Sequence, residues 1–179
     1  MARVALLVGI CLSTAGAQYS CSSDGSGMFT SRDLNSGDGP TFSTTLALRD
    51  SSGNEASRFS RMELVRMELT VRNRTDMQQT LQMPSSGLGA TFMAFNEGAN
   101  TPRWRSTDGF AFPAVVTQIV FQAHETKVMG LDWNQEMADG TFLPNGNYEA
   151  RGIVQIVGFP QDPLAPHELG SNLVVFSVH

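Results

Sequence analysis

Cysteine is almost missing from this 179-residue sequence: Cys11 and Cys21 are its only two. Cys11 falls in an N-terminal stretch read below as removed on export, which leaves one thiol. A single thiol forms no intramolecular disulfide and supplies no thiolate-rich zinc site. Lipidation and a disulfide to another chain are the functional readings of Cys21. Ser20 suits a lipoprotein signal while Gln18 and Tyr19 do not, so an unpaired thiol on a tail is the simpler reading. Histidine is scarce too, and His124, His167 and His179 form no HxH or HxxxH spacing. Lys127 is the single lysine beside eleven arginines, and the formal charge is −5. A mildly acidic chain has no electrostatic basis for nucleic-acid binding. No Gly-rich loop opens a helix, Ser85-Ser86-Gly87 lacks a nucleophile-elbow context, and Asp108-Gly109 and Asp139-Gly140 lack the further oxygen ligands of a calcium loop. The sequence therefore offers no catalytic residue, no metal site and no small-molecule cofactor site, and the expected partner is a protein.

What is present is ordered along the chain. MARVALLVGICLSTAGA has a positive end at Arg3, an apolar run over 4–12 and an Ala15-Gly16-Ala17 exit. That order reads as a secretory signal peptide over 1–17, with a buried N-terminal strand as the competing reading. Its apolar run is too short for a membrane span, and no later run is longer. The membrane is thus met only through the signal, and the expected location is periplasm, cell envelope or medium. Residues 18–40 are rich in Gly, Ser, Asp and Asn and read as a flexible tether. Residues 41–179 form the expected domain, and 41% hydrophobic residues overall supply a core.

From Thr41 the apolar pattern has period two. Phe42, Thr44, Leu46 and Leu48 alternate with Ser43, Thr45, Ala47 and Arg49, which predicts a half-buried strand. In RMELVRMELTVRN, Val65, Met67, Leu69 and Val71 share one face. Met62 and Leu64 are out of phase with them, which suggests a β-bulge near Val65, with a helix as the competing reading. Further strands are expected over 80–83, 90–95, 103–105, 116–121, 127–133, 148–157 and 173–178. Turn residues separate them about every ten positions. The expected fold is all-β, an immunoglobulin-like antiparallel β-sandwich of about seven to nine strands.

Several of these pieces occur together in one known family. LTVRNRTD carries Asn73, Thr75 and Asp76. LQMPSSG supplies a Ser-Gly turn. RWRSTDGF carries Trp104, Arg105, Ser106 and Phe110. A strand ends in Trp133, and Gly140, Pro144, Gly146 and Tyr148 follow in order. From Met62 to Val157 the chain resembles the bacterial intracellular proteinase inhibitor family, BsuPI. It departs from that pattern at Ala90-Thr91-Phe92, which lacks an acid, at the stretched Pro144-Asn145-Gly146 turn, in one missing tryptophan, and in having an export signal. The resemblance implies an immunoglobulin-like sandwich and a protease as partner. An envelope protein, reached through exposed edge strands or the strand over 173–178, is the alternative.

Trp104 and Trp133 carry two readings, core packing between sheets and an exposed aromatic at an interface. Trp104 is the better interface candidate because Arg103 and Arg105 flank it. The candidate contact residues are Arg103, Trp104, Arg105 and Leu88, in loops over 85–88, 96–105 and 161–170. Trp133, Gly140, Pro144, Gly146 and Tyr148 read as scaffold. Asp139-Gly140 and Asn145-Gly146 are expected to turn the chain with positive φ, and Tyr148 to lend its hydroxyl to a corner hydrogen bond.

Overall fold

The computed structural model describes residues 41–84, 89–111, 115–156 and 168–179. The expected signal, the expected tether with Cys21, the expected 85–88 turn with Leu88, and residues 161–167 of the expected 161–170 loop, His167 among them, lie outside the described residues.

Eleven strands follow in order: β1 Phe42–Arg49, β2 Arg58–Phe59, β3 Val65–Asn73, β4 Gln79–Pro84, β5 Thr91–Asn96, β6 Trp104–Arg105, β7 Val116–Phe121, β8 Thr126–Trp133, β9 Gly146–Gln155, β10 Glu168–Gly170 and β11 Val174–Val178. No helix occurs among the described residues. The fold is the expected all-β sandwich, with more strands than the seven to nine anticipated. The excess comes from β2 and β10, two and three residues long, too short to show a period.

One sheet has the order β1-β3-β8, and the other β2-β11-β9-β5-β6 with β10 also on β9. Alternation explains the first sheet directly. Phe42, Leu46 and Leu48 of β1 and Val65, Met67, Leu69 and Val71 of β3 are all buried on the core side. They meet Phe92, Ala94, Tyr148, Ala150, Val154, Phe176 and Val178 of the opposite sheet in one cluster. Gly152 of β9 lies so close to Leu69 that a Cβ would sit 3.0 Å from its Cδ1, so the two sheets approach fully there. β11, named above for partner pairing, has β9 along one side and the two-residue β2 against Ser177 and Val178 on the other.

The expected bulge near Val65 is replaced by a turn. β3 begins at Val65, paired to Trp133, and Met62 stands outside it in a left-handed conformation, φ 69°.

A two-stranded ribbon, β4 with β7, continues the β3–β8 pair beyond a corner. Between the last pair of one ladder, Arg72↔Thr126, and the first of the next, Gln79↔Phe121, one strand spends six residues and the other four. Asn73, fully buried, holds this mismatch. Its Nδ2 donates to the carbonyls of Met77 (2.7 Å) and Gln122 (2.8 Å), and its Oδ1 accepts from the Thr75 amide (3.0 Å) and hydroxyl (2.9 Å). His124 completes the other side of the corner at φ 58°, with its Nε2 2.7 Å from Asp76. Phe121 then returns to the core, edge-on to Phe42 at 5.2 Å.

Candidate functional site

Three connections meet where the open edges of the sandwich come together, namely 60–64 before β3, 106–111 after β6, and 134–145 after β8. Between them runs a groove of about 660 Å³, lined by Leu64, Trp104, Phe110, Leu131, Trp133 and Met137, with Asp108, Asp132 and Glu136 also on its wall. Its floor is an aromatic stack. The rings of Trp104 (β6) and Trp133 (β8) lie 4.2 Å apart and 17° from parallel. Both are buried, and Trp133 Nε1 donates to the Glu136 carbonyl at 2.8 Å. The pair joins the last strand of one sheet to the last strand of the other. Above it Phe110 is 70% exposed and Leu64 38%.

The rim is polar and internally paired. Arg66 meets Asp132 through two bonds, 2.7 and 3.1 Å, and this pairing holds the Asp132 carboxyl below its usual range. At the surface such a pair contributes little to stability. Asp108 accepts from the Arg105 amide at 3.0 Å, which fixes the turn and leaves the Arg105 side chain exposed. Arg103 is exposed as well, with its amide bonded to the Ala94 carbonyl at 2.8 Å. The sequence-derived contact residues thus divide. Arg103 and Arg105 project, Trp104 is buried beneath them, and Leu88 lies outside the described residues.

Of the residues read as scaffold, Trp133 lines the groove, and the others stand in the connection after β8 and at the start of β9. Gly140 adopts φ 77° and its amide closes a turn to the Met137 carbonyl at 2.9 Å. Asp139 accepts the Thr141 hydroxyl and amide, which holds its carboxyl below the usual range. Tyr148 donates to the Pro144 carbonyl at 2.6 Å, and burial pushes its phenol up. Gly146 departs from expectation: it is not among the glycines at positive φ. It opens β9 opposite Val178, and its small size leaves room for the Tyr148 ring, whose hydroxyl would lie 3.3 Å from a Cβ.

Gln135 and Met62 escaped the sequence reading. Gln135 is fully buried and stands at φ 66°. Its side chain reaches the 60–64 turn: Nε2 donates to the carbonyls of Ser60 (2.7 Å) and Glu63 (2.9 Å), and Oε1 accepts from the Met62 amide (3.2 Å). Met62, 57% exposed, is displayed at the tip. The only trace in the sequence was the phase slip at Met62 and Leu64. The partner 73 residues away had none.

Among the described residues no group of three His, Cys, Asp or Glu side chains is placed to hold a metal ion. What the arrangement offers is a braced, partly apolar surface of convergent loops.

No curated protein matches the chain. Similar solved structures include β-glucosidases. One from Listeria innocua in complex with isofagomine is 11% identical, with TM-score 0.40 over 76% of this chain and 16% of that one. One from Erythrobacter marinus is 11% identical, with TM-score 0.38 over 77% and 16%. One from Kluyveromyces marxianus is 15% identical, with TM-score 0.27 over 76% and 15%. The chain spans about one sixth of the length of these enzymes. The family model described as intracellular proteinase inhibitor, BsuPI, matches residues 53–157. That span is more than half of the sequence and holds the Asn73 corner, the stacked tryptophans and the Tyr148 bond, so the chain belongs to the BsuPI intracellular proteinase inhibitor family.

Proposed function

We propose that this protein is an exported, non-enzymatic binding module that inhibits extracytoplasmic proteases. Family membership carries the reading of a protease as partner. The contact surface is the end of the sandwich where 60–64, Arg103, Arg105 and 106–111 surround the groove. Loops on a rigid sandwich are where binding function concentrates. Export rests on the order of charge, apolar run and small residues over 1–17. The test is an inhibition assay with the purified protein in micromolar excess over subtilisin-like and other secreted proteases. At least one is expected to be inhibited. A panel left wholly unaffected removes the reading, and absence of the protein from envelope and medium fractions removes the export.

A second reading, an envelope assembly or structural component, has one observation in its favour. No described residue pairs with the outer edge of β7. Val115 and Val116 beside that edge are more than half exposed, and residues 109–123 carry no charged side chain. Soluble proteins usually guard such edges with charge, and an unguarded one accepts another strand. Sedimentation over a range of concentrations is expected to show association that Val116→Lys abolishes. A monomer throughout would count decisively against it.

A further inference from the structure

We propose that Met62 is the primary apolar contact with which this domain enters a protease cleft, on a loop preformed by Gln135. The inference rests on the inhibitor reading above and names the residue that would carry it.

Met62 combines two properties that folding alone does not reward together. Its backbone is left-handed, φ 69°, a conformation that is costly for residues with a Cβ and that persists only when the surroundings impose it. Its side chain is 57% exposed and so gains little packing in return. Glycine would meet the backbone demand without strain.

The surroundings do impose it. Beyond the three side-chain bonds from Gln135, the Glu63 amide donates to the Ser60 carbonyl (3.0 Å), and the Ser60 amide donates to the Glu63 carboxylate (2.7 Å). The Arg61 amide donates to the carbonyl of His179 at 3.1 Å. Gln135 is itself anchored, its carbonyl accepting the Leu143 amide at 2.8 Å. Two left-handed residues from distant parts of the chain thus meet through one hydrogen bond, Met62 N to Gln135 Oε1. A short turn held by hydrogen bonds from Gln135, Glu63 and His179, with an unbranched apolar side chain at its tip, has little backbone freedom left to lose on docking. Such preorganisation raises affinity without adding contacts, and inhibitors of this kind move little on binding.

The fitting partner is an endopeptidase whose primary recognition pocket is an apolar slot. A flexible, polarisable methionine adapts to such a pocket. Leu64, two residues on and exposed on the groove wall, extends the apolar contact.

The test compares wild type, Met62→Gly and Met62→Leu against a protease that wild type inhibits. Met62→Gly is expected to melt no lower than wild type, because glycine accepts the left-handed backbone, and to weaken inhibition at least about thirtyfold, the loss expected of a buried anchor. Met62→Leu keeps an apolar tip and is expected to remain within about threefold of wild type. Inhibition by Met62→Gly within threefold of wild type overturns the assignment and leaves the inhibitor reading standing. A clearly lowered melting temperature overturns it as well, since Met62 would then be a packing residue. If wild type inhibits no protease, the inhibitor reading itself fails and the assignment falls with it.

Discussion

Asn73→Ala is expected to cost about 3 kcal/mol of stability, because four side-chain hydrogen bonds vanish at a buried position and each is worth roughly 0.5–1.5 kcal/mol net. The loss exceeds that of an ordinary cap because Asn73 uses both ends of its amide. Two backbone carbonyls, of Met77 and Gln122, lose a donor, and the Thr75 amide and hydroxyl lose an acceptor. Only an amide satisfies both sets. Asn73→Asp keeps the bonds from Thr75 but turns a second carboxylate oxygen toward two carbonyl oxygens, so it is expected to be no better than alanine. Urea-unfolding midpoints measure both. A cost below about 1 kcal/mol for the alanine variant would mean that the corner between the two ladders holds itself. The same burial removes Asn73 as a glycan acceptor, although Asn73-Arg74-Thr75 is formally a sequon.

Trp133→Ala is expected to cost about 4 kcal/mol, within the range for truncating large buried aromatics. Three losses combine: the buried indole surface, the stack on Trp104 and the bond to the Glu136 carbonyl. Trp133→Phe keeps a ring and loses the N–H donor, so its cost should be roughly half as large. A spectroscopic readout separates stacking from general destabilisation. These are the only tryptophans in the chain, so the coupled circular-dichroism signal of two stacked indoles has a single source. It should vanish in Trp133→Phe while the fold persists. Retention of that signal, or a cost for the alanine variant under about 2 kcal/mol, would contradict a stack that joins the two sheets.

The sandwich was legible because most of its core is written in period two. Val65, Met67, Leu69 and Val71 announce both the strand and its buried face. The strands expected over 90–95 and 103–105 appear as β5 and β6, paired through Ala94↔Trp104. The short strands β2 and β10 were not readable, since two or three residues cannot show a period. The turn around Met62 shows a second limit. Local sequence registered a break in phase, but the cause is the side chain of Gln135, and hydrogen bonds across 73 positions leave no local pattern. Gly146 shows a third. Asn-Gly usually signals a left-handed turn, yet here the missing side chain makes room for Tyr148. At the groove, the flanking arginines drew attention to Trp104. Tertiary packing buried the ring and left the arginines outside, which no pattern of neighbours encodes.

The closure of the sandwich also sets how the chain reaches it. Thr44 donates its hydroxyl to the carbonyl of Gly170 at 2.6 Å, and the Leu46 amide donates to the Asn172 side chain at 2.9 Å. The first strand is therefore finished only by residues near the end of the chain. Such long loops must lose their freedom before their contacts repay it, which places this domain among the slow folders, in milliseconds to seconds. During that interval the 109–123 stretch has no charged side chain to deter pairing with another chain. The order in which strands arrive, and not only the stability they reach, therefore sets how long that stretch stays unpaired.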